Sequence, residues 1–320
     1  QFSMKAVFLD FATMGAGLDL AELEGLVAEL VVYDESPDET IAERIADAEI
    51  VFTNKIRLTR ELLEQAPKLR FIALTATGTD NIDTGCANEH GIAVANIRHY
   101  CTQSVVEHVF GVLLSLTHSL ERYNDAVRAG DWQRSTDFCM LLFPVRELSA
   151  MTLGIVGYGA LGQGVARIAR EFGMTVLVSA RPGTDSVPDD RVDFDELLAT
   201  SDVISLHCPL NDTTRKLFGA REFTAMKDSA ILINTARGGL VDSQALADAL
   251  ENGQIAAAAI DVLPQEPPVD GDPLLDYRGD NLIVTPHIAW ATDEARQNAI
   301  DELAANTKAF LDGTERNRVV

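Results

Sequence analysis

Three charged side chains in the second half of the chain have the types and spacing for chemistry on a carbonyl. Arg237 comes three residues after Asn234, Glu266 five after Asp261 and His287 two after Thr285, each just past an apolar run. If those runs are parallel strands, all three side chains emerge at the carboxyl edge of one sheet, where open α/β sheets bind ligands. Reduction of a carbonyl by hydride needs a proton donor for the forming alkoxide and a cation that orients the substrate. His287 can be the donor, and a Glu266 carboxylate bonded to its second ring nitrogen would fix the tautomer and favour the protonated ring. The planar fork of Arg237 suits the carboxylate and carbonyl oxygens of a 2-oxo acid. In the reverse direction neutral His287 becomes the base. Taken singly, each has a plainer reading: a histidine after a strand is usually structural, an arginine there can cap a sheet edge, and Glu266 is one of 49 acidic residues.

A second constellation lies upstream. Gly157-Tyr158-Gly159-Ala160-Leu161-Gly162 fits G-x-G-x-x-G, directly after the apolar run TLGIV and opening an amphipathic stretch, ALGQGVARIAREF. Gly157 permits the tight turn, Gly159 lets a pyrophosphate approach the backbone, and Gly162 lets helix and strand pack closely. The N–H groups at the helix start, from Ala160 and Leu161, face the phosphates. A glycine-rich turn without a ligand is the alternative, and the strand-turn-helix context weighs against it. Cofactor choice is set at the end of the next strand, where an acid accepts hydrogen bonds from the ribose of NAD. In MTVLVSARPG that position is Ala180, followed by Arg181. With no carboxylate to repel a 2′-phosphate, and Ser179 and Arg181 available to bind one, NADP is favoured over NAD. The plainer reading has Arg181 stack on an adenine or face water.

These residues need a scaffold of parallel strands. From Met4 the runs KAVFLD, VVYD, EIVFTN, RFIALTA and IAVAN are separated by helix-period segments, with RFIALTA passing to IAVAN without one. After a long helical stretch from about Thr102 to Gly130 and an irregular stretch, WQRSTDFCMLLFPVRELSA, six more runs follow: TLGIVG, MTVLVSA, VISLHC, AILINTA, IAAAAIDV and NLIVTPH. A last helix is predicted from Thr292 to Leu311. The fold class is α/β with two doubly wound parallel sheets, the second a six-stranded Rossmann unit for a dinucleotide.

Composition narrows the partners. The chain has 320 residues, 47% hydrophobic and 23% charged, with a net charge of −23. That is globular composition, long enough for two domains. A surface so acidic repels phosphate backbones and anionic lipid, so neither nucleic acid nor a membrane is an expected partner. Cys86, Cys101, Cys139 and Cys208 stand far apart with no zinc-ligand spacing, which points to reduced thiols of a cytoplasmic protein and to no metal. The most apolar helical stretch, Val105 to Leu120, is interrupted by Glu107 and His108 and falls short of the ~20 residues a span needs. No signal peptide is recognised, and Gln1, Phe2 and Ser3 read as an added remnant before Met4.

The segments GIVGYGALGQGVARIA, NTARGGLVD, DVLPQEPP and TPHIAWAT resemble the signature segments of the D-2-isomer-specific 2-hydroxyacid dehydrogenases, and the likeness covers nearly the whole chain. Within that family, NIRHYCTQSVVEHVFGVLLSLTHSL, WQRSTDFC and PHIAWAT look most like the glycerate dehydrogenase (hydroxypyruvate reductase) branch. The resemblance implies Arg237, Glu266 and His287 in the roles reasoned above. It implies a flavodoxin-like substrate domain of residues 1–100 plus 290–320, an NAD(P)-binding Rossmann domain of residues 101–289, and a homodimer built on helices at about 101–130. It places Lys55, Thr77 and Gly78 near the substrate, Cys208, Pro209 and Thr213 on the adenosine side, and Thr235, Ala236 and Asp261 on the nicotinamide side. Ala289 stands where the family often has Gly, and Ala180-Arg181 replaces its common Asp. The implied reaction is reduction of hydroxypyruvate and glyoxylate to D-glycerate and glycolate. A relative with another 2-oxo acid, or a nucleotide-sensing corepressor on the same fold, is the rival.

Overall fold

The computed structural model describes residues 4–184 and 186–320, so the remnant read at Gln1, Phe2 and Ser3 lies outside the described residues. The chain forms two compact units, Gln1–Cys101 with Ala291–Val320, and Thr102–Trp290.

In the first unit five parallel strands, β1 (Lys5–Phe8), β2 (Glu29–Val32), β3 (Ile50–Thr53), β4 (Phe71–Leu74) and β5 (Ala93–Ala95), lie in the order β2-β1-β3-β4-β5. Every residue of β3 and β4 is buried, which requires cover on both faces and explains their continuous apolar sequence. The Asp293–Leu311 helix belongs to this unit, and its Phe310 ring stacks on Phe71 at 4.5 Å. Thr292 caps it by accepting from Ala295 N–H at 3.2 Å. The terminal segment then returns to β5, where Val94 N–H donates to Val320 O and Val319 N–H to Val94 O.

The second unit carries six parallel strands, β6 (Thr152–Val156), β7 (Thr175–Val178), β8 (Val203–Leu206), β9 (Ile231–Asn234), β10 (Ala257–Ile260) and β11 (Leu282–Val284), in the order β11-β10-β9-β8-β6-β7. Outside β7, Val192 forms a single parallel bridge to Ser179, with Ala180 N–H donating to Val192 O and Val192 N–H to Val178 O. The position of a further edge strand is thus reduced to one residue. The chain runs outward from β6 to β7 and then crosses back to β8 on the other side of β6. That reversal opens a crevice at the carboxyl ends of β6 and β8.

The strands fall where the sequence patterning puts them except β2, which begins at Glu29 within the stretch read as helical and ends at Val32, and three differences among the helices stand out. The long stretch after Thr102 is two helices, Thr102–His118 and Leu120–Arg128, broken at Ser119, which takes φ 51° and donates its hydroxyl to Pro144 O at 2.8 Å. The stretch before β2 is helical only over Ala21–Gly25, since Gly25 ends it and the chain extends from Glu29. Between β4 and β5 lies a Thr84–Glu89 helix that the sequence reading passes over. Its composition is poor for a helix, and it rests on the Asp83 carboxylate accepting from Cys86 N–H at 2.8 Å.

Candidate active site

His287 follows β11 in the left-handed region at φ 56°, a conformation histidine tolerates better than most residues. Its backbone N–H is shared between Asp261 O (2.8 Å) and Thr285 O (3.0 Å). The buried Asp261 carboxylate clamps the rest of the turn. Oδ1 accepts from Thr285 Oγ1 at 2.6 Å and from Ile288 N–H at 2.9 Å, and Oδ2 accepts from Ala289 N–H at 3.0 Å. Trp290 Nε1 donates to His287 O at 2.9 Å. The imidazole is thereby held by its backbone on one side, and on the other by Glu266, whose Oε2 lies 2.6 Å from Nδ1. The other Glu266 oxygen accepts from Leu263 N–H at 2.9 Å, so the carboxylate is fixed in turn.

Arg237 follows β9 and is exposed, with Nη1 donating to Ala236 O at 2.7 Å. Its peptide is set by Asn234, whose side chain donates to Arg237 O (2.9 Å) and accepts from Ala236 N–H (3.0 Å). The next residue ties this loop to the glutamate's. A Cβ on Gly238 would stand 2.0 Å from the Leu263 carbonyl carbon and 2.4 Å from Pro264 N, so only glycine allows the two backbones to touch. Asn234, Asp261 and Gly238 thus converge the three charged residues on one sheet edge.

The glycine turn fits a dinucleotide. Gly157 has φ 94°, and a Cβ there would lie 2.4 Å from Cys208 N; one on Gly162 would lie 2.2 Å from Gly157 O. A Cβ on Gly159 would meet nothing within 4 Å, so that side of the backbone is open where a phosphate would approach. Gly159 caps the Ala160–Glu171 helix without a side chain, leaving the N–H groups of Ala160 and Leu161 for an anion. Facing the turn, Cys208 is buried, and burial pushes its thiol up to about 11. Thr214 Oγ1 donates to the exposed Pro209's carbonyl oxygen at 2.7 Å, and Thr213 Oγ1 to Asn211 Oδ1 at 2.7 Å. Thr235 Oγ1 is enclosed with no partner among the described residues, an orphan that a carboxamide of a bound nicotinamide could satisfy.

At the end of β7 the Ser179 hydroxyl is buried and donates to Ala180 O at 2.7 Å, so it is already engaged. Arg181 is the exposed cation of that position. Arg191, which the sequence reading passes over, lies 4.9 Å from the centre of the Tyr158 ring and adds a second cation beside the glycine turn.

In the first unit, the buried Asp10 carboxylate accepts from Asn54 N–H (2.9 Å) and Lys55 N–H (2.7 Å), which fixes the peptide of the exposed Lys55. The Thr77-Gly78 loop is anchored beside β5: Thr77 Oγ1 donates to Ile97 O at 2.9 Å and Asn96 Nδ2 to Thr77 O at 2.8 Å. The sequence reading passes over Asp10, although a carboxylate just after a buried strand is a signal for such a backbone clamp. His108 was also unread. Its Nε2 lies 3.3 Å from Thr285 Oγ1 and 3.9 Å from Asp261 Oδ1, a placement that only the packing of its helix reveals.

The comparisons with known proteins bear on this geometry. Residues 110–289 match the family model for the D-isomer specific 2-hydroxyacid dehydrogenase, NAD binding domain. The glycerate dehydrogenase of Methylorubrum extorquens is 47% identical over 282 residues, 88% of each chain. This chain belongs to the D-isomer-specific 2-hydroxyacid dehydrogenase family. The hydroxypyruvate reductase of Blautia hydrogenotrophica is 40% identical and matches over 99% of both chains. An acyclic imino acid reductase, solved in complex with NADPH and D-Arg, superposes with a TM-score of 0.85 at 28% identity, over 99% of this chain and 100% of that one. The family member described here is therefore an oxidoreductase with a nicotinamide dinucleotide as its cofactor. Among the described residues, no helix is long and apolar enough to cross a membrane.

Proposed function

We propose that this enzyme reduces hydroxypyruvate, and glyoxylate beside it, to D-glycerate and glycolate with NADPH preferred. The observation that carries the reading is the 2.6 Å contact of Glu266 with His287 Nδ1 at the sheet edge that also bears Arg237. With Nδ1 engaged, Nε2 is the nitrogen left to hold a proton for the oxygen of the reduced carbonyl. Arg237 receives the 2-oxo acid's carboxylate and carbonyl oxygens in its fork, which polarises the carbonyl. A bound nicotinamide supplies the hydride. Gly157, Gly159, Ala160, Leu161 and Gly162 would hold its pyrophosphate, Cys208, Pro209 and Thr213 its adenosine side, and Thr235, Ala236, Asp261 and Ala289 its nicotinamide side.

Preference for NADPH is supported by Ala180 in place of an acid and by the exposed Arg181. The choice of hydroxypyruvate is supported by the relatives' names. We also place the protein in the cytoplasm, as a homodimer. Four free cysteines support the first. Support for the second comes from an exposed apolar stretch, in which Phe138 and Leu141 are 91% and 87% accessible beside Trp132, Leu142 and Val145; a second copy of this chain is the occupant proposed for it.

Saturation curves for NADPH and NADH with hydroxypyruvate, glyoxylate and pyruvate, followed by reduced-cofactor absorbance, test the reading. The highest kcat/KM is expected with NADPH and hydroxypyruvate. Arg181→Asp should raise the KM for NADPH more than that for NADH, and equal effects refute the phosphate-binding role. Tight dinucleotide binding without turnover of any 2-oxo acid would favour a sensor instead.

A further inference from the structure

The first unit brings together three metal-ligating side chains that no part of the proposed reaction uses. Cys86 and His90 lie four residues apart, on the Thr84–Glu89 helix and at its C-cap, and so share one helix face. Glu64 reaches them from the end of the Arg60–Glu64 helix, and one ligand atom from each residue falls within 4.8 Å of the others. The Cys86 Sγ to His90 Nδ1 distance is 3.5 Å. A tetrahedral zinc, with Zn–S of about 2.3 Å and Zn–N of about 2.0–2.1 Å, sets its sulfur and nitrogen ligands about 3.5 Å apart. Two of the three ligands therefore already stand at the edge length of a zinc tetrahedron.

We propose that Glu64, Cys86 and His90 form a binding site for a divalent transition-metal ion of the zinc type. Thiolate, imidazole and carboxylate are the zinc donor set, whereas magnesium and calcium take oxygen ligands. Together the thiolate and carboxylate neutralise the ion's two charges, and three protein ligands leave the fourth position to water. Cys86 is buried while Glu64 and His90 are exposed, so on binding the metal displaces the thiol proton, which leaves on the exposed side of the cluster, and Sγ bonds to the metal. A metal-bound imidazole carries its proton on the other nitrogen, so His90 Nδ1, which lies 2.9 Å from Cys86 O, gives up that contact for the metal and the ring proton sits on Nε2. The competing cation is Arg60, 3.7 Å from Glu64 Oε1. Its shorter bonds go to Glu89, at 2.7 and 3.1 Å, so Glu64 can turn towards the metal while Arg60 keeps a partner. Spacing alone hid the cluster, because Glu64 sits on a separate helix and the sequence reading passes over the helix that carries Cys86.

The test uses the metal-stripped full chain titrated with Zn²⁺ against a chromogenic chelator, and with Co²⁺ followed by absorbance. One equivalent should bind, and Co²⁺ should show a thiolate charge-transfer band that Cys86→Ser abolishes. His90→Gln and Glu64→Gln change exposed side chains that the fold does not need, and each should weaken Zn²⁺ by about tenfold or more; Cys139→Ser should not. Absence of the cobalt band in the unaltered chain, or Zn²⁺ affinity unchanged in both His90→Gln and Glu64→Gln, overturns the site. Binding lost instead in His287→Ala assigns the ion to the Glu266–His287 pair and overturns it equally.

Discussion

Asp261→Asn is the substitution that most directly tests how the histidine is held. The carboxylate accepts three bonds in the turn that carries His287, two on Oδ1 and one on Oδ2. Asparagine preserves the shape and can keep both bonds on one oxygen, but its amide then points a donor at the buried Ala289 N–H. One bond to a charged acceptor disappears, and a buried N–H is left without a partner. Removing one partner of a buried bond leaves the other to bear its desolvation cost, about 1–3 kcal/mol and more where a charged group was involved, so a loss of about 1–3 kcal/mol or more in the second unit is expected. Since the turn at φ 56° is no longer clamped, kcat should also fall by about 10- to 100-fold, the usual effect of a misplaced catalytic group. Urea unfolding read by tryptophan fluorescence is the assay. Both tryptophans, Trp132 and Trp290, lie in that unit, and Trp290 bonds directly to His287 O. An unfolding free energy within about 0.5 kcal/mol of the parent, with turnover unchanged, would refute the clamp.

Other outcomes follow from the same geometry. His287→Ala should lower kcat by ~10² to 10⁴, the range for a lost general acid, with dinucleotide affinity by fluorescence titration nearly unchanged; full turnover removes His287 from its role. Gly157→Ala should lower the melting temperature, since its Cβ would strike Cys208 N at 2.4 Å, whereas Gly159→Ala, with open space around it, should melt like the parent yet bind the dinucleotide less tightly. Equal melting temperatures for the two variants would contradict these opposite roles. Burial pushes His207, whose Nε2 meets Ser205 Oγ at 2.8 Å, down to about 4. Its unfolded form takes a proton below about 6.5, so stability is full above that pH and falls as pH drops towards 4, by at most about 3 kcal/mol. Urea midpoints for His207→Gln should therefore vary less between pH 7 and pH 4.5 than the parent's, and identical pH slopes would sink that account.

Much of this was legible in the chain because parallel strands announce themselves. The runs FIAL, VISL, ILIN and AAAI are buried at every position, and a strand covered on both faces reads as an unbroken apolar segment. Once the strands are counted, residues just beyond them share an edge, which is how Arg237, Glu266 and His287 could be grouped. The residues that hold them in place were harder to see. Gly238 matters through a contact with Leu263 that no local pattern encodes, and His108 reaches Thr285 only through tertiary packing. The sequence reading allows only a weak break in the stretch after Thr102, and its place at Ser119 is not legible because a serine in the left-handed conformation carries no strong signal. Ser179 could be placed at the strand end but not oriented, since its bond to Ala180 O depends on a rotamer.

The lone bridge at Val192 has a consequence for how the family can diversify. The outermost ladder of the second sheet, next to Arg181, is zipped by two backbone bonds rather than a full strand. Side chains there can be exchanged, or the intervening segment lengthened, while the central strands keep their partners. Arg181, proposed above to read the ribose, is exposed just past the buried Ser179 and Ala180, so a lineage could swap one nicotinamide currency for the other there without first rebuilding its foundation.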